Sequence, residues 1–387
     1  MSTRTLHIAM NGVTGRMGYR QHLVRSILPI RDQGGVALPD GSTIQVEPVL
    51  IGRNPEKLAA LAKKHGVERW TTDLDSVIND PETDIVFDAS MTNLRAATLT
   101  KAMRAGKHIY AEKPTAETLA EAIELARLRE STGVTAGVVH DKLYLPGLVK
   151  LRRLVDDGFF GRILSLRGEF GYWVFEGDLQ PGQRPSWNYR EQDGGGMTTD
   201  MYCHWNYVLE GIIGSVKTIT SQVATHIPTR WDEHGVAYQA TADDAAYGIF
   251  ELQTPSGDPV IAQINSSWAV RVHRDELVEF QVDGTHGSAV AGLFSCVAQA
   301  RSNTPKPVWN PDLATTEKFR DQWLEVPDNA EFDNAFKSQW EEFLRDAAAG
   351  RPHRLDLLSA ARVVQLAELG LQSSAEGRRL AVPELQL

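Results

Sequence analysis

Three glycines lead into a segment where an aspartate and a histidine stand four residues apart: Gly194-Gly195-Gly196-Met197-Thr198-Thr199-Asp200-Met201-Tyr202-Cys203-His204. If the chain is helical from Thr198 onward, Asp200 and His204 lie on one face as an i, i+4 pair. Imidazole is the side chain best suited to take a proton near neutral pH, and a nearby carboxylate raises its basicity and orients its ring. The glycines would let a ligand approach bare backbone. The same two residues could bind a metal instead, but no third ligand is obvious and no metal is expected.

A second candidate is Lys113. Ala105-Gly106-Lys107-His108-Ile109-Tyr110-Ala111-Glu112-Lys113-Pro114 reads as a helix stop, a strand and two charged residues at the strand's carboxyl end. That edge of an open parallel sheet is where ligands bind. A lysine there can hydrogen-bond a substrate hydroxyl or carbonyl, and partial desolvation would lower its pKa toward a useful range. Pro114 fixes the direction of the chain as it leaves, by either peptide isomer. Taken in isolation, an exposed salt-bridging lysine is the commoner role.

A cofactor site is written in the first turn. Asn11-Gly12-Val13-Thr14-Gly15-Arg16-Met17-Gly18 follows the first strand and opens the first helix, with glycines spaced Gly-x-x-Gly-x-x-Gly. Gly12 allows the tight turn, Gly15 lets backbone approach a pyrophosphate, Gly18 permits close helix packing, and the helix start supplies free N–H groups. Thr14, Arg16 and Met17 belong to the same loop, and Ser90, Glu112 and Lys113 close later strands at the same edge. The second strand ends in Ile51-Gly52-Arg53-Asn54, with no carboxylate to bind a ribose 2′-hydroxyl. Arg53, with Arg16, could pair with a 2′-phosphate, so NADP is expected, with NAD also possible.

The elements that must position these groups are legible. From Thr5 to about His140, strands at Leu6–Met10, Val46–Ile51, Ile85–Ala89, His108–Ala111 and Thr135–Val139 alternate with amphipathic helices, which predicts a parallel sheet of βαβ units. Asn54 caps a helix starting at Pro55, and Gly66, Gly106 and Gly133 are helix stops. The polar stretch from Arg31 to Thr43 lengthens the first crossover as a hairpin or loop. After about Leu145 come longer alternating strands, Ile163–Trp173, Val216–Thr225, Ala245–Leu252, Val260–Trp268 and Leu277–Val282, then helices at Asn334–Ala349 and Leu355–Glu376. The expectation is a Rossmann α/β domain over residues 1–142. An α+β domain with a large, mostly antiparallel open sheet follows over 143–387, its closing helices able to pack back on the first.

Composition sets the class. The 387 residues suit two domains, and 42% hydrophobic with 23% charged residues is an ordinary globular balance. A formal net charge of −10 argues against nucleic acid as partner. No stretch reaches the roughly 18 apolar residues of a membrane span, and no secretory leader is evident. Two cysteines, Cys203 and Cys296, make no disulfide framework, so a cytoplasmic location is expected.

Together these motifs resemble the glucose-fructose oxidoreductase, inositol dehydrogenase and rhizopine-catabolism (Gfo/Idh/MocA) family. Asp283-Gly284-Thr285-His286-Gly287-Ser288 and Ser374-Ala375-Glu376-Gly377-Arg378-Arg379 extend the likeness along nearly the whole chain. The resemblance implies a Rossmann domain, a second domain whose sheet often forms the oligomer interface, and hence a homodimer or homotetramer. It also implies that Glu112 and Lys113 lie by the nicotinamide ribose and the reacting carbon, with Asp200 and His204 facing them. Three features depart from the family pattern. The first turn is one residue longer and looks like that of dihydrodipicolinate reductase. Tyr207 stands where relatives often carry Asp, and His140-Asp141-Lys142 stands where they often carry Asn-x-Arg or Tyr-x-Tyr-Arg.

The expected activity is hydride transfer between a secondary alcohol of a sugar, glycoside or cyclitol and nicotinamide. His204 would take the hydroxyl proton, Asp200 would hold the imidazole, and Lys113 would stabilise the alkoxide or relay the proton. His140, Lys142, Trp187, Tyr189 and Arg190 are the candidate substrate contacts, with Trp173 and Phe175 as further aromatic surfaces. A glycosidase that oxidises its sugar transiently would need the same site, and a silent NADP-binding regulator is a further alternative.

Overall fold

The structure is a computed structural model that describes residues 3–387. It divides into two compact units. The first runs to Tyr144 and adds Phe332–Gln365 and Leu385–Leu387; the second takes Leu145–Glu331 and Leu366–Glu384.

In the first unit, β1 (Thr3–Asn11) is central because both of its faces are apolar: Leu6, Ile8 and Met10 enter one core, and Ala9 enters another. The sheet order is β2 (Val36–Ala37), β3 (Thr43–Ile51), β1, β5 (Thr83–Asp88), β6 (His108–Ala111), β7 (Ala136–Val138), with β4 (Arg69–Thr71) also on β3. All pairings are parallel except β2 with β3. Strands covered on both faces read as near-continuous hydrophobic runs. Helix α1 (Met17–Ile27, continued over Leu28–Asp32) and α8 (Ala335–Ala348) cover one face through Leu23, Ile27, Trp340 and Phe343. The other is covered by α4 (Thr92–Arg104), α5 (Leu119–Thr132) and the start of α9 (Leu357–Glu376).

Local signals set the ends. Asn54 accepts a hydrogen bond from the Lys57 N–H, Pro55 occupies the first helical position of α2 (Pro55–His65), and Gly66 ends it at φ +61°. The segment from Arg31 to Thr43 is partly helical, then a small hairpin: Val36 and Ala37 pair with Ile44 and Thr43, and Asp40 accepts from the Ser42 N–H and hydroxyl to close the turn.

The second unit is built on a nine-stranded sheet ordered β17 (Leu324–Glu325), β16 (Cys296–Ala300), β15 (Gly287–Ala291), β14 (Val278–Gly284), β8 (Ile163–Gly171), β13 (Pro259–Ser267), β12 (Ala245–Gln253), β9 (Ser215–Ala224), β18 (Leu380–Ala381). It is antiparallel apart from β8 with β13. Along β12, Gly248, Phe250 and Leu252 turn inward, while Tyr247 and Ile249 stand exposed on the other face. Helix α7 (Met197–Ile212) packs on the inner face, where Gly248 leaves room for the Tyr202 hydroxyl: a Cβ there would come within 2.8 Å of it.

Candidate active site

The first unit carries the glycine turn at the carboxyl end of β1. Gly12 has φ +82°, and a Cβ there would lie 2.6 Å from the Ala89 carbonyl; a Cβ on Gly18 would lie 2.5 Å from the Gly12 oxygen. Both positions are therefore set by packing of the turn on itself and on the strand beside it. Gly15 is different: its side is open apart from the Gly12 oxygen at 3.3 Å, and Thr14, Gly15 and Arg16 are exposed, with Met17 half-buried. No side chain caps α1, so its first N–H groups point from this loop unclaimed by a side chain. This is a cradle a dinucleotide pyrophosphate fits. Gly12→Ala is expected to lower stability by about 1–3 kcal/mol and to weaken cofactor binding. A melting curve together with calorimetric titration of the cofactor checks this; wild-type values for both would contradict the packing argument.

Behind the turn lies a buried polar clamp. Asp88, fully buried at the end of β5, accepts from Asn11 Nδ2 (2.7 Å), the Ser90 N–H (3.0 Å) and hydroxyl (2.8 Å), and Arg95 Nε (3.3 Å). Arg95 also donates to the Ser90 and Pro114 carbonyls. One ion pair thus ties the ends of β1 and β5 to the segment leaving β6. Ser90, an expected cofactor contact, is half-buried and gives its hydroxyl proton to Asp88, leaving it an acceptor.

Glu112, 7% exposed, follows β6. Its Oε1 accepts from His22 Nε2 at 2.8 Å and its Oε2 from the Lys113 N–H at 3.2 Å. Burial alone would raise its pKa, but the His22 hydrogen bond and the charges of Arg95 and Lys113 hold it below the ordinary value. Lys113 is half-buried, and the Lys113-Pro114 peptide is cis. Arg53 is exposed just beyond β3, and a Cβ on Gly52 would press the Thr14 methyl at 3.1 Å.

Of the two expected substrate contacts in this unit, His140 is enclosed. It has no exposed surface, its backbone N–H donates to Gln339 Oε1, and burial pushes its imidazole down to about 3, so the ring is neutral. A ring held inside the packing cannot meet a sugar, and the expectation for His140 is corrected on that ground. Lys142 is half-buried in the turn Asp141–Tyr144, with Asp141 at 3.6 Å.

In the second unit, α7 begins where the sequence places it. Its start is stapled by Asp243, which accepts from the Thr198 N–H (2.8 Å) and hydroxyl (2.7 Å). The preceding glycines have a packing reason besides the expected one: a Cβ on Gly195 would meet the Trp187 and Asn188 carbonyls at 2.4–2.5 Å, and one on Gly196 the Asp243 carboxylate at 2.7 Å. Protein, rather than ligand, fills the space at these two positions.

Asp200 Oδ2 accepts from Arg184 Nη2 at 3.0 Å, and the Arg184 guanidinium lies over the Trp268 ring at 4.1 Å. Sequence reasoning did not find Arg184, which sits in an irregular loop with no motif around it. His204, 8% exposed, places Nδ1 2.6 Å from the Tyr207 hydroxyl. Tyr207 thus supplies a polar partner to the imidazole. The ring's tautomer sets which of the two atoms donates; with the proton on Nδ1, Nε2 is the basic atom.

The aromatic candidates separate. Trp187 is 51% exposed, whereas Tyr189 is 3% exposed, sandwiched against Arg230 (3.8 Å) and edge-on to Trp268 (5.4 Å), with its phenol pushed up by burial to about 12. Tyr189 is a core ring, and the expectation of a sugar-facing surface is corrected for it. Arg190 stacks on Tyr238 at 4.6 Å, with Asp193 3.8 Å away.

Comparison with known proteins identifies the family. Residues 6–140 match the oxidoreductase family with an NAD-binding Rossmann fold, and residues 148–290 match the GFO/IDH/MocA C-terminal domain. The chain belongs to the Gfo/Idh/MocA oxidoreductases. Within that family it is 75% identical over 385 residues to a D-xylose dehydrogenase of Paenarthrobacter nicotinovorans, covering 100% of this chain and 99% of the relative. It is 28% identical to a levoglucosan dehydrogenase of Pseudarthrobacter phenanthrenivorans over 71% of each chain. A solved levoglucosan dehydrogenase in complex with NADH and L-sorbose shares the fold at TM-score 0.78 and 21% identity, covering 98% of this chain and 99% of that one. This Gfo/Idh/MocA protein is a nicotinamide-dependent sugar oxidoreductase. Among its described residues no helix is long and apolar enough to cross a membrane.

Proposed function

We propose that the protein is a cytoplasmic dehydrogenase of D-xylose or a closely similar aldose, with NADP as its preferred cofactor. The observation that carries the substrate is the 75% end-to-end identity to a D-xylose dehydrogenase. When bound, the nicotinamide supplies the hydride acceptor, and the protein's task is placement and proton handling. Gly12, Thr14, Gly15, Arg16 and Met17 hold the pyrophosphate, with Ser90 and Glu112 at the same sheet edge. His204 Nε2 takes the proton of the reacting hydroxyl while Tyr207 receives the Nδ1–H. Asp200, itself oriented by Arg184, balances the charge that forms on the imidazole. Lys113 stabilises the oxygen as the carbon–hydrogen bond breaks. Lys142, Trp187 and Arg190 are the candidates for sugar contacts.

Exposed Arg53 beyond a strand end without a carboxylate supports NADP. Purified protein should reduce NADP with D-xylose, followed by absorbance of the reduced cofactor, and Arg53→Glu should cost NADP about tenfold or more in kcat/KM while sparing NAD. An unmodified preference for NAD of about tenfold would overturn the cofactor assignment, and inactivity with D-xylose would overturn the substrate. Cys203 and Cys296 are both buried and are not joined in a disulfide, which suits a reducing compartment. Exposed Tyr247, Ile249 and Ile261 on the open sheet face support a homodimer or homotetramer, to be weighed by light scattering.

A further inference from the structure

A chain of three buried side chains ends on Glu112. Trp340 Nε1 donates to His22 Nδ1 at 2.9 Å, and His22 Nε2 meets Glu112 Oε1 at 2.8 Å. Indole N–H donates and cannot accept, so the Trp340 contact requires a lone pair on Nδ1 and places the imidazole proton on Nε2. That proton points at the carboxylate. In that tautomer the ring's one donor is committed to Glu112.

We infer that His22 and Trp340 are positioning residues that hold Glu112 as an oriented, acceptor-only carboxylate for the nicotinamide ribose. The inference rests on the proposed placement of Glu112 beside the cofactor. His22 and Trp340 have no exposed surface, and the His22 ring packs on Phe87 at 4.3 Å and edge-on to Phe336 at 5.2 Å. An apolar ring would fill that cage without the cost of burying polar atoms, so packing does not explain an imidazole there. The carboxylate does: a buried anion needs a donor, and a donor of fixed direction leaves its remaining lone pairs aimed one way. The relay also gives α8, more than 300 residues downstream of α1, a part in cofactor binding.

The test compares His22→Leu, His22→Gln, Trp340→Phe, Glu112→Gln and the double variant His22→Leu/Glu112→Gln by melting temperature, calorimetric titration with NADPH and turnover. His22→Leu is expected to weaken NADPH by about tenfold to hundredfold, the value of one charge-assisted hydrogen bond. His22→Gln, whose amide N–H replaces the Nε2 donor, should stay within about threefold of wild type. In a Glu112→Gln protein, His22→Leu should add less than about twofold, because both changes break the same link. Wild-type affinity in His22→Leu, no rescue by Gln, or multiplying effects in the double variant would overturn the inference. If His22→Leu does not fold, Trp340→Phe decides, since it keeps a ring and removes the indole N–H: weaker NADPH binding supports the relay and unchanged binding refutes it. A wild-type protein that binds NADPH but oxidises no sugar would refute the proposed substrate and leave this test intact. One that binds neither nicotinamide nucleotide would refute both.

Discussion

Alanine in place of His204 is expected to lower turnover of the sugar by about 10²- to 10⁴-fold while leaving nicotinamide binding within about twofold, the range over which a positioned general base acts. The argument is geometric. His204 sits one turn after Asp200 on α7, and the start of that helix is fixed by Asp243 rather than by the reacting groups themselves. Its Nδ1 is hydrogen-bonded to the Tyr207 hydroxyl at 2.6 Å, and in the tautomer that carries its proton on Nδ1 the accepting atom is Nε2. The substitution should therefore remove a base without loosening its scaffold. Tyr207→Phe should cost less, about three- to tenfold in kcat, because it frees the Nδ1–H without removing the base. Equal losses in the two variants would mean that the hydroxyl, not the imidazole, handles the proton. Turnover unchanged in His204→Ala would end the assignment.

What the sequence made legible is what is local in it. The glycine turn, the Asn54 cap with Pro55, the Gly66 stop and the helix carrying Asp200 and His204 each depend on residues within a turn or two of one another, where spacing alone constrains geometry. The clamps that hold these groups do not. Arg184 reaches Asp200 from 16 residues away out of an irregular loop, Asp243 staples Thr198 across 45, and Trp340 meets His22 across 318. Such pairs are chosen by tertiary packing, and no periodicity announces them. The two expectations that failed, His140 and Tyr189, failed for the same reason. Each is a polar-tipped ring beside a candidate site, and whether such a ring faces a ligand or the core is decided by tertiary packing: His140 has no exposed surface, and Tyr189 is held by Arg230 and Trp268, 41 and 79 residues downstream. The glycines before α7 carry a related lesson, since a bare backbone suited to a ligand is equally suited to a carbonyl of the same chain.

Lys113→Ala is the second large loss expected, about 10²- to 10³-fold in kcat, and Lys113→Arg separates the two roles open to the ammonium. Lys113 follows a strand end that is held from behind: Glu112 N–H donates to the Asp88 carbonyl at 2.9 Å, and Arg95 donates to the Pro114 carbonyl. Its backbone is therefore fixed on both sides, and a change of side chain should act through chemistry. If Lys113 contributes charge to the developing alkoxide, a guanidinium in its place should restore at least about a tenth of the wild-type rate. If Lys113 passes a proton, arginine should be nearly as slow as alanine, because a group with a pKa above about 12 gives up no proton at neutral pH. A primary kinetic isotope effect with sugar deuterated at the reacting carbon, measured in both variants, ensures that hydride transfer is the step being compared. Turnover near wild type in Lys113→Ala would return the residue to the ordinary role of a salt-bridging lysine and leave His204 as the principal proton-handling group.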